Sequence, residues 1–180
     1  VKVFDNETLD PIAAVNSYAS PSSVIEEGRV YVHFGTYGTA CLDTRCGDVL
    51  WARRDLKCDH HEGAGSSPIL LDNLLIFNVD GRDVQYVIAL DKTTGATVWK
   101  TARSVDYSPF DRNLRKAFCT PIVVEVAGRR QLVSPGAKAM MGYDPATGEE
   151  LWRIRYDGWS LTPRPLFANG LVYFVNDYVK

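Results

Sequence analysis

The segment LDTRCGDVLW (residues 42–51) contains a pattern that recurs as LDKTTGATVW (90–99) and YDPATGEELW (143–152). Each copy has an aspartate, a glycine four residues later and a tryptophan four residues after that. The three triples consist of Asp43, Gly47, Trp51, Asp91, Gly95, Trp99, Asp144, Gly148 and Trp152. The tryptophans are 48 and 53 residues apart. Repetition at such an interval indicates a chain built from similar structural units.

The three residue types of the triple suit a tight turn that leads into a strand. The aspartate side chain can accept hydrogen bonds from backbone N–H groups two or three residues on, which starts a turn. The glycine supplies a positive φ without the steric penalty of a Cβ atom. The tryptophan then lies on the outgoing strand, where its ring can cover apolar area between neighbouring units. One copy departs from the others, because Cys46 stands where Thr94 and Thr147 stand.

A second repeated feature, an apolar run, a polar or glycine turn and another apolar run, precedes each triple. It occurs at 22–34, 67–79, 120–133 and 164–176. No segment of ten residues or more has a convincing helical period, and the one helical turn we predict lies around Asp111–Lys116. In the second unit we predict strands at Ile69–Leu71, Leu74–Asn78, Tyr86–Leu90 and Thr97–Thr101. The predicted fold class is all-β, with units of four antiparallel strands.

A four-stranded unit of this length that carries a tryptophan on its last strand is typical of a β-propeller blade. The triple resembles the tryptophan-docking motif of quinoprotein-type, PQQ-like β-propeller repeats, and the resemblance covers essentially the whole chain. It implies a propeller of about seven or eight blades, of which this chain would hold about three and a half. We expect an inter-blade segment at 1–19, blades at 20–56, 66–103 and 119–156, and the first hairpin of the next blade at 163–180.

The ends of the sequence indicate a piece of a longer protein. The chain begins at Val1 rather than at methionine, and it ends in the apolar run LVYFVNDYVK (171–180). We expect the remaining blades to come from the parent chain or from a second copy of this one.

The composition limits the classes of partner. With 46% hydrophobic and 23% charged residues, the 180-residue chain has the profile of a globular protein. Its net charge of −2 gives no electrostatic reason to expect nucleic acid or an anionic membrane as partner. No uncharged apolar run approaches the ~18 residues of a membrane-spanning segment.

The segment CDHHEGAGSSP (58–68) combines a thiol, acids, two histidines and two glycines. In an extended segment adjacent side chains point to opposite sides, so His60 and His61 cannot easily bind one metal ion. A phosphate loop needs a helix behind its glycines, and here a strand follows Pro68. We therefore expect no metal site and interpret the segment as an inter-blade connection at the channel rim. The alternative is that one of the two histidines, together with Asp59 or Cys58, binds a metal ion.

Ligand sites of propellers commonly lie at the channel mouth, where several loops converge. The candidate site consists of polar residues just before or at the start of the predicted innermost strands. They are Asn16, Ser17, Ser20, His60, His61, Ser66, Ser67, Lys116, Thr120 and Arg164. The alternative is a solvated channel mouth with no dedicated ligand. His33, within a predicted strand, is expected to be a packing residue.

The resemblance leaves two function classes. The first is a non-catalytic scaffold without a cofactor, which binds a protein partner or small ligand at its channel face. The second is a quinoprotein oxidoreductase that uses PQQ and Ca²⁺ to oxidise an alcohol or a sugar. Such dehydrogenases combine calcium-binding carboxylates, a catalytic aspartate and, in many cases, two adjacent cysteines. This sequence has no adjacent cysteines and its acids cannot be assigned to those roles, so we favour the scaffold.

The resemblance also implies export to the bacterial periplasm or cell surface, where disulfides can form. The four cysteines are Cys41, Cys46, Cys58 and Cys119. No two of them form a C-x-x-C pair, which argues against a structural zinc site of the usual spacing. If a disulfide exists, Cys41–Cys58 is the pairing we expect first; buried free thiols are the alternative.

Overall fold

Fourteen β-strands follow one another in residues 1–176, the part of the chain that the computed structural model describes. They form three four-stranded antiparallel sheets and one two-stranded hairpin, each with its strands in chain order. The predicted all-β fold with four-stranded units is confirmed. The total number of blades stays a prediction. Residues 177–180, which belong to the unit predicted at 163–180, lie outside the described residues.

We call the three sheets blades 1, 2 and 3 and the hairpin the start of blade 4. Blade 1 contains β1 to β4, which span Val24–Glu26, Arg29–His33, Thr39–Asp43 and Val49–Arg53. Blade 2 contains β5 to β8, which span Ile69–Leu71, Leu74–Asp80, Gln85–Asp91 and Thr97–Ala102. Blade 3 contains β9 to β12, which span Ile122–Val126, Arg129–Pro135, Ala139–Tyr143 and Glu150–Arg155. The final hairpin consists of β13 and β14, which span Leu166–Ala168 and Leu171–Tyr173.

Four irregular stretches link or precede the blades: the N-terminal segment (1–23), connection 1 (54–68), connection 2 (103–121) and connection 3 (156–165). The predicted helical turn forms in connection 2 as a 3₁₀ turn, Arg112–Arg115, and the Asp111 carboxylate accepts a hydrogen bond from the backbone N–H of Asn113. A second 3₁₀ turn, Gly35–Tyr37, joins β2 to β3. Within residues 1–176, no helix has the length and apolar character needed to cross a bilayer.

Each Asp–Gly–Trp triple forms the turn between the third and fourth strands of its blade. In blade 2 the Asp91 carboxylate accepts hydrogen bonds from the backbone N–H groups of Thr93 and Thr94, both at 2.9 Å. Gly95 has a φ of +73°, the left-handed conformation that a glycine adopts without strain. The same arrangement occurs in the other two blades, at Asp43 with Gly47 and at Asp144 with Gly148.

The tryptophan of blade 1 contacts the turn of blade 2. A Cβ atom on Gly95 would lie 2.7 Å from the Trp51 ring, so the ring sits directly against the glycine. The Trp51 Nε1 donates a hydrogen bond to the carbonyl oxygen of Lys92 at 2.9 Å. A large apolar ring and a backbone hydrogen bond therefore join the two blades.

The tryptophan of blade 2 repeats this contact with blade 3. The Trp99 ring lies against Gly148, and its Nε1 donates to the carbonyl oxygen of Pro145 at 3.0 Å. Trp152 in blade 3 instead donates to the Gln131 side chain of its own blade, with 2.6 Å between Nε1 and Oε1. The inter-blade contact is thus described at two successive blade boundaries.

The hydrophobic core lies mainly between blades. β6 and β7 in the middle of blade 2 are almost wholly buried, whereas the outer strand β8 is largely exposed. One apolar cluster between blades 1 and 2 includes Tyr31, Cys41, Leu75, Phe77 and Ile88. A second between blades 2 and 3 includes Ile76, Val87, Leu132, Met141 and Tyr143. His33 is buried as expected, and its Nδ1 lies 2.8 Å from the Thr39 hydroxyl.

All four cysteines are free thiols, so the conditional Cys41–Cys58 pairing is wrong and the alternative of buried free thiols holds for three of them. Cys41, Cys58 and Cys119 are buried and Cys46 is exposed. The Cys58 thiol faces the imidazole of His60, with 3.6 Å between Sγ and Nδ1, and lies against Gly81 of blade 2. Cys41 instead lies on β3 in blade 1. Burial raises the pKa of the Cys41 and Cys58 thiols, so they stay protonated at neutral pH.

Candidate functional site

A row of hydrogen bonds links neighbouring blades. It joins the residues that lie two positions before the first strand of each blade. This position is held by Ser22, Ser67 and Thr120 in blades 1 to 3. The backbone N–H of Ser22 donates to the Ser67 hydroxyl, and that of Ser67 donates to the Thr120 hydroxyl, both at 2.9 Å. Arg164 holds the same position in blade 4 and is exposed. A guanidinium can only donate hydrogen bonds, so the Arg164 side chain cannot accept the next one and the row ends there.

An ion pair joins connections 1 and 2 beside this row. Lys116 Nζ lies 2.8 Å from Glu62 Oε1, and the lysine side chain is only 5% exposed. The Asn16 side chain donates to the Glu62 carbonyl oxygen at 2.6 Å. On the other side, the Ser160 N–H donates to the Lys116 carbonyl oxygen at 2.8 Å. These four residues tie the N-terminal segment and all three connections into one network.

The remaining predicted serines make local contacts. Ser17 and Ser20 are exposed and both bond to the side-chain oxygen of Asn16. Ser66 is buried, and its hydroxyl accepts a 3.4 Å hydrogen bond from the backbone N–H of Asn78. The structure therefore brings Asn16, Ser17 and Ser20 together and places Ser66 in the interior rather than on the rim.

The two adjacent histidines have different environments. His61 is exposed and has a φ of +66°. His60 is partly buried, and its Nε2 is buried without a hydrogen-bond partner among residues 1–176. Burial lowers the pKa of His60, so its imidazole is neutral at pH 7. Across the same described residues, no group of three or more His, Cys, Asp or Glu side chains is placed to hold a metal ion.

A cavity of about 590 Å³ lies beside blade 1, and we call it the blade 1 cavity. Its walls come from the N-terminal segment, the turn between β2 and β3, connection 1 and the turn between β6 and β7. Three aromatic rings line it, those of Tyr18, Phe34 and Tyr37, and the two tyrosine rings meet edge to face at 5.8 Å. Its ionisable lining residues include Asp10, Lys57, Asp59, His60, Arg82 and Asp83. Apolar rings with a few polar groups are typical of ligand pockets.

Asp59 ties this cavity wall to the neighbouring elements. Its Oδ2 lies 2.9 Å from Arg82 Nη2 in the β6–β7 turn and 3.3 Å from Arg112 Nη2 in connection 2. All three side chains are partly exposed, so each pair contributes little to stability. Their main effect is on position, because they hold connections 1 and 2 against the same turn.

A second cavity, of about 460 Å³, lies beside blade 3, and we call it the blade 3 cavity. Connection 2, the turn between β10 and β11 and the start of connection 3 form its walls. Lys138 Nζ lies 4.9 Å from the ring centroid of Phe110 and 5.0 Å from that of Trp159, and it donates to the Asp157 carbonyl oxygen. A lysine ammonium of the chain itself therefore occupies the aromatic surface at this cavity.

Sequence reasoning missed a buried ion pair below the connections. Arg103 Nε and Nη2 bind the two carboxylate oxygens of Asp80 at 3.0 and 2.6 Å, with both side chains fully buried. Arg103 Nη1 also donates to the Ser134 hydroxyl of blade 3 at 2.8 Å. Burial raises the pKa of Asp80 and Arg103 opposes that change. A charged residue at the end of the apolar run LLIFNVD (74–80) was the available signal.

Glu62 and Ser160 were also missed. Glu62 lies next to the two histidines that drew attention, and its lysine partner is 54 residues away in the sequence. Ser160 follows Trp159 in connection 3, outside any repeated pattern. One oxygen of Glu62, Oε2, and the Ser160 hydroxyl are buried without a hydrogen-bond partner among residues 1–176.

The donor set of these residues does not fit a Ca²⁺–PQQ centre. Calcium needs six to eight oxygen ligands, several of them carboxylates. The carboxylates of Asp59, Glu62 and Asp80 are each bound to an arginine or lysine side chain. A metal ion at any of them would have to break an ion pair.

Comparison with known proteins gives one family. The family described as outer membrane protein assembly factor BamB matches residues 5–101 and 83–179. No curated protein matches the chain.

Several solved propellers have a similar fold. BamB from Moraxella catarrhalis aligns with a TM-score of 0.58 and 18% identity, over 86% of this chain and 42% of that one. Quinohemoprotein alcohol dehydrogenase from Comamonas testosteroni aligns with a TM-score of 0.57 and 21% identity, over 76% and 21%. A europium-containing methanol dehydrogenase aligns with a TM-score of 0.57 and 13% identity, over 79% and 32%. The chain thus spans less than half of each structure, and these identities establish the fold alone.

Proposed function

The chain belongs to the PQQ-like propeller family described as outer membrane protein assembly factor BamB, and from this premise we propose that it is part of a non-catalytic binding or assembly scaffold. The observation that carries the proposal is the network of Asn16, Glu62, Lys116 and Ser160. Its polar groups bind one another across the N-terminal segment and three connections. Such groups hold loops in place, as a binding surface requires.

The blade 1 cavity supports a binding role. Loops held by a rigid β scaffold commonly carry recognition sites. Here the cavity walls are fixed by the Asp59 ion pairs on one side and by the Asn16–Glu62 contact on the other. We propose that a protein partner or a small ligand binds at this face.

The chemistry of the available side chains favours binding over catalysis. The thiol next to His60 belongs to Cys58, whose pKa is raised by burial, so it is protonated at neutral pH. A protonated thiol is a poor nucleophile. The carboxylates of Glu62 and Asp80 are each held in an ion pair, with Lys116 and Arg103 respectively.

The rest of the protein and its location are part of the same proposal. We propose an exported bacterial protein, since the family name refers to outer membrane protein assembly. The remaining blades would come from the parent chain or from a second copy of this one. Light scattering separates these two sources, because a monodisperse monomer of this chain would contradict ring completion by a second copy.

Equilibrium dialysis with PQQ tests the scaffold against the dehydrogenase alternative. The full-length protein is dialysed against PQQ with Ca²⁺, and a matched sample with a calcium chelator serves as control. We expect the quinone absorbance to be the same inside and outside in both samples. Saturable PQQ binding that requires Ca²⁺ would contradict the scaffold proposal and support the quinoprotein dehydrogenase.

A further inference from the structure

Blades 1 and 3 carry different residues at one equivalent position beside the inter-blade connections. Tyr37 lies 14 residues before Trp51, and Lys138 lies 14 residues before Trp152. Both residues are in the turn between the second and third strands of their blades. Each turn also forms part of a cavity wall, so the two cavities can be compared residue by residue.

In blade 3 this position supplies a cation to an aromatic surface. The Lys138 ammonium lies about 5 Å from two ring centroids, one in connection 2 and one in connection 3. Cations within about 6 Å of an aromatic centroid are attracted by the ring quadrupole. The Asp157 carbonyl oxygen accepts one of its hydrogen bonds. In the blade 3 cavity, aromatic rings of two connections and a backbone carbonyl oxygen therefore hold a primary ammonium.

In blade 1 the same position supplies a third ring instead of a cation. Tyr37 lies with Phe34 from its own turn and Tyr18 from the N-terminal segment. Within residues 1–176 the Asp10 carboxylate has a single hydrogen bond, a long 3.5 Å contact from the Tyr37 hydroxyl. A carboxylate with spare acceptor capacity beside three rings is suited to a cation.

Most other charged groups of the blade 1 cavity have partners within the chain. Arg82 is paired with Asp59, and Lys57 Nζ donates to the Thr36 carbonyl oxygen at 3.0 Å. Asp83 Oδ1 accepts hydrogen bonds from the backbone N–H groups of Asp59 and Val84. Lys57 is exposed, so its ammonium competes weakly for the cavity. The imidazole of His60 is neutral and adds no positive charge.

We propose that the blade 1 cavity binds a primary alkylammonium group, supplied by a free amine or by a lysine side chain of a partner protein. This inference specifies the chemical class of ligand for the blade 1 cavity, and it rests on the proposed binding role. The rings of Tyr18, Phe34 and Tyr37 would surround the alkyl chain and the ammonium, and Asp10 would neutralise it. The alkyl chain adds apolar contact with the rings.

Titration calorimetry with two matched probes tests the proposal. The first probe is N-acetyl-lysine methylamide, compared with the same compound acetylated on its side-chain nitrogen. The second is pentane-1,5-diamine, which represents a free amine. We expect saturable binding of at least one of the two charged amines and no binding of the acetylated compound.

Three variants locate the site. Asp10→Asn removes the carboxylate charge and should weaken binding about two- to fivefold, as for an ion pair at an exposed side chain. Lys57→Met removes the competing ammonium and should strengthen binding about threefold. Asp106→Asn changes a carboxylate at the blade 3 cavity and should leave the affinity unchanged. Unchanged thermal unfolding of each variant confirms that the fold is intact.

The outcomes separate the possible sources and separate this inference from the scaffold proposal. Binding of the lysine compound alone indicates a protein partner, and binding of the diamine alone indicates a free amine. Equal binding of acetylated and free lysine, no binding of either amine, or no effect of Asp10→Asn would overturn the inference. None of these results alters PQQ dialysis, on which the scaffold proposal depends.

Discussion

The Trp51 indole lies flat against Gly95 of the next blade and donates a 2.9 Å hydrogen bond to the nearby Lys92 carbonyl oxygen. The glycine meets two requirements at once. Its φ of +73° disfavours any side chain, and the ring leaves no room for a Cβ atom. This contact explains why the glycine and tryptophan of the triple recur together.

Substitution of Gly95 by alanine should destabilise the protein more than the same change at Gly128. Both glycines have a φ near +74°, so both variants incur about 1 kcal/mol of left-handed strain. A Cβ atom at Gly128 would meet open space, whereas one at Gly95 would clash with Trp51. We expect Gly95→Ala to lose about 1–3 kcal/mol more in urea unfolding. Equal losses would show that the ring does not press on the turn.

Truncation of Trp99 should cost far more than truncation of its neighbour. Trp99 is 8% exposed and donates to the Pro145 carbonyl oxygen, so Trp99→Ala should lose about 3–5 kcal/mol of unfolding free energy. Val98→Ala is the matched control, since Val98 is 51% exposed and should change stability by less than about 1 kcal/mol. Denaturant unfolding measures both; similar values would refute the inter-blade role of the ring.

Removal of the Lys116 charge should destabilise the connections. Lys116→Met leaves the partly buried Glu62 carboxylate unpaired, which should cost about 2 kcal/mol. Adding Glu62→Gln should recover part of this loss, because the two changes are coupled. Arg130→Met, which breaks an exposed pair with Asp72, is the control and should cost less than about 1 kcal/mol. If the effects of Lys116→Met and Glu62→Gln on the unfolding free energy were additive, the pairing would be contradicted.

Acid should destabilise the folded chain partly through His33. Burial lowers the pKa of His33 to about 3, well below the 6.5 of an exposed histidine. The folded state therefore favours the neutral ring, so this contribution is complete above pH 6.5 and is lost as pH falls toward 3.

Removing that histidine should make stability less sensitive to acid. His33→Gln should reduce the slope of unfolding free energy against pH in this window by up to about 1.4 kcal/mol per pH unit. An unaltered slope in His33→Gln would show that this ring can take up a proton without unfolding.

Thiol titration should count four free cysteines. In the native protein we expect a thiol reagent to modify Cys46 quickly and the three buried thiols slowly or not at all. In denaturant without reductant all four should react. A count of two reactive thiols in denaturant would instead indicate one disulfide. Loss of the fast reaction in Cys46→Ser would assign that reaction to Cys46.

Local features of the fold were predictable from sequence. The aspartate, glycine and tryptophan of each triple act within a few residues of one another, so their spacing specifies the turn. The predicted strand Leu74–Asn78 extends to Asp80, because the Arg103 pair allows a buried charge there. The 3₁₀ turn Gly35–Tyr37 was missed, as it has no local capping signal and Phe34 packs against the distant Phe4.

The site was less predictable because its contacts join residues far apart in sequence. Ser67 and Thr120 were candidates by position, yet their hydrogen bonds to successive blades need the assembled structure. Lys116 is a residue type that is normally exposed, and only its pairing with Glu62 explains its burial. The functional roles of the candidate residues stay predictions.

The most direct test of the non-catalytic scaffold against the dehydrogenase alternative is dye-coupled turnover by the full-length protein reconstituted with PQQ and Ca²⁺. Ethanol and glucose serve as substrates, and protein without PQQ gives the background rate. The scaffold account predicts that the rate with PQQ equals this background. A rate that depends on PQQ and saturates with either substrate would contradict it.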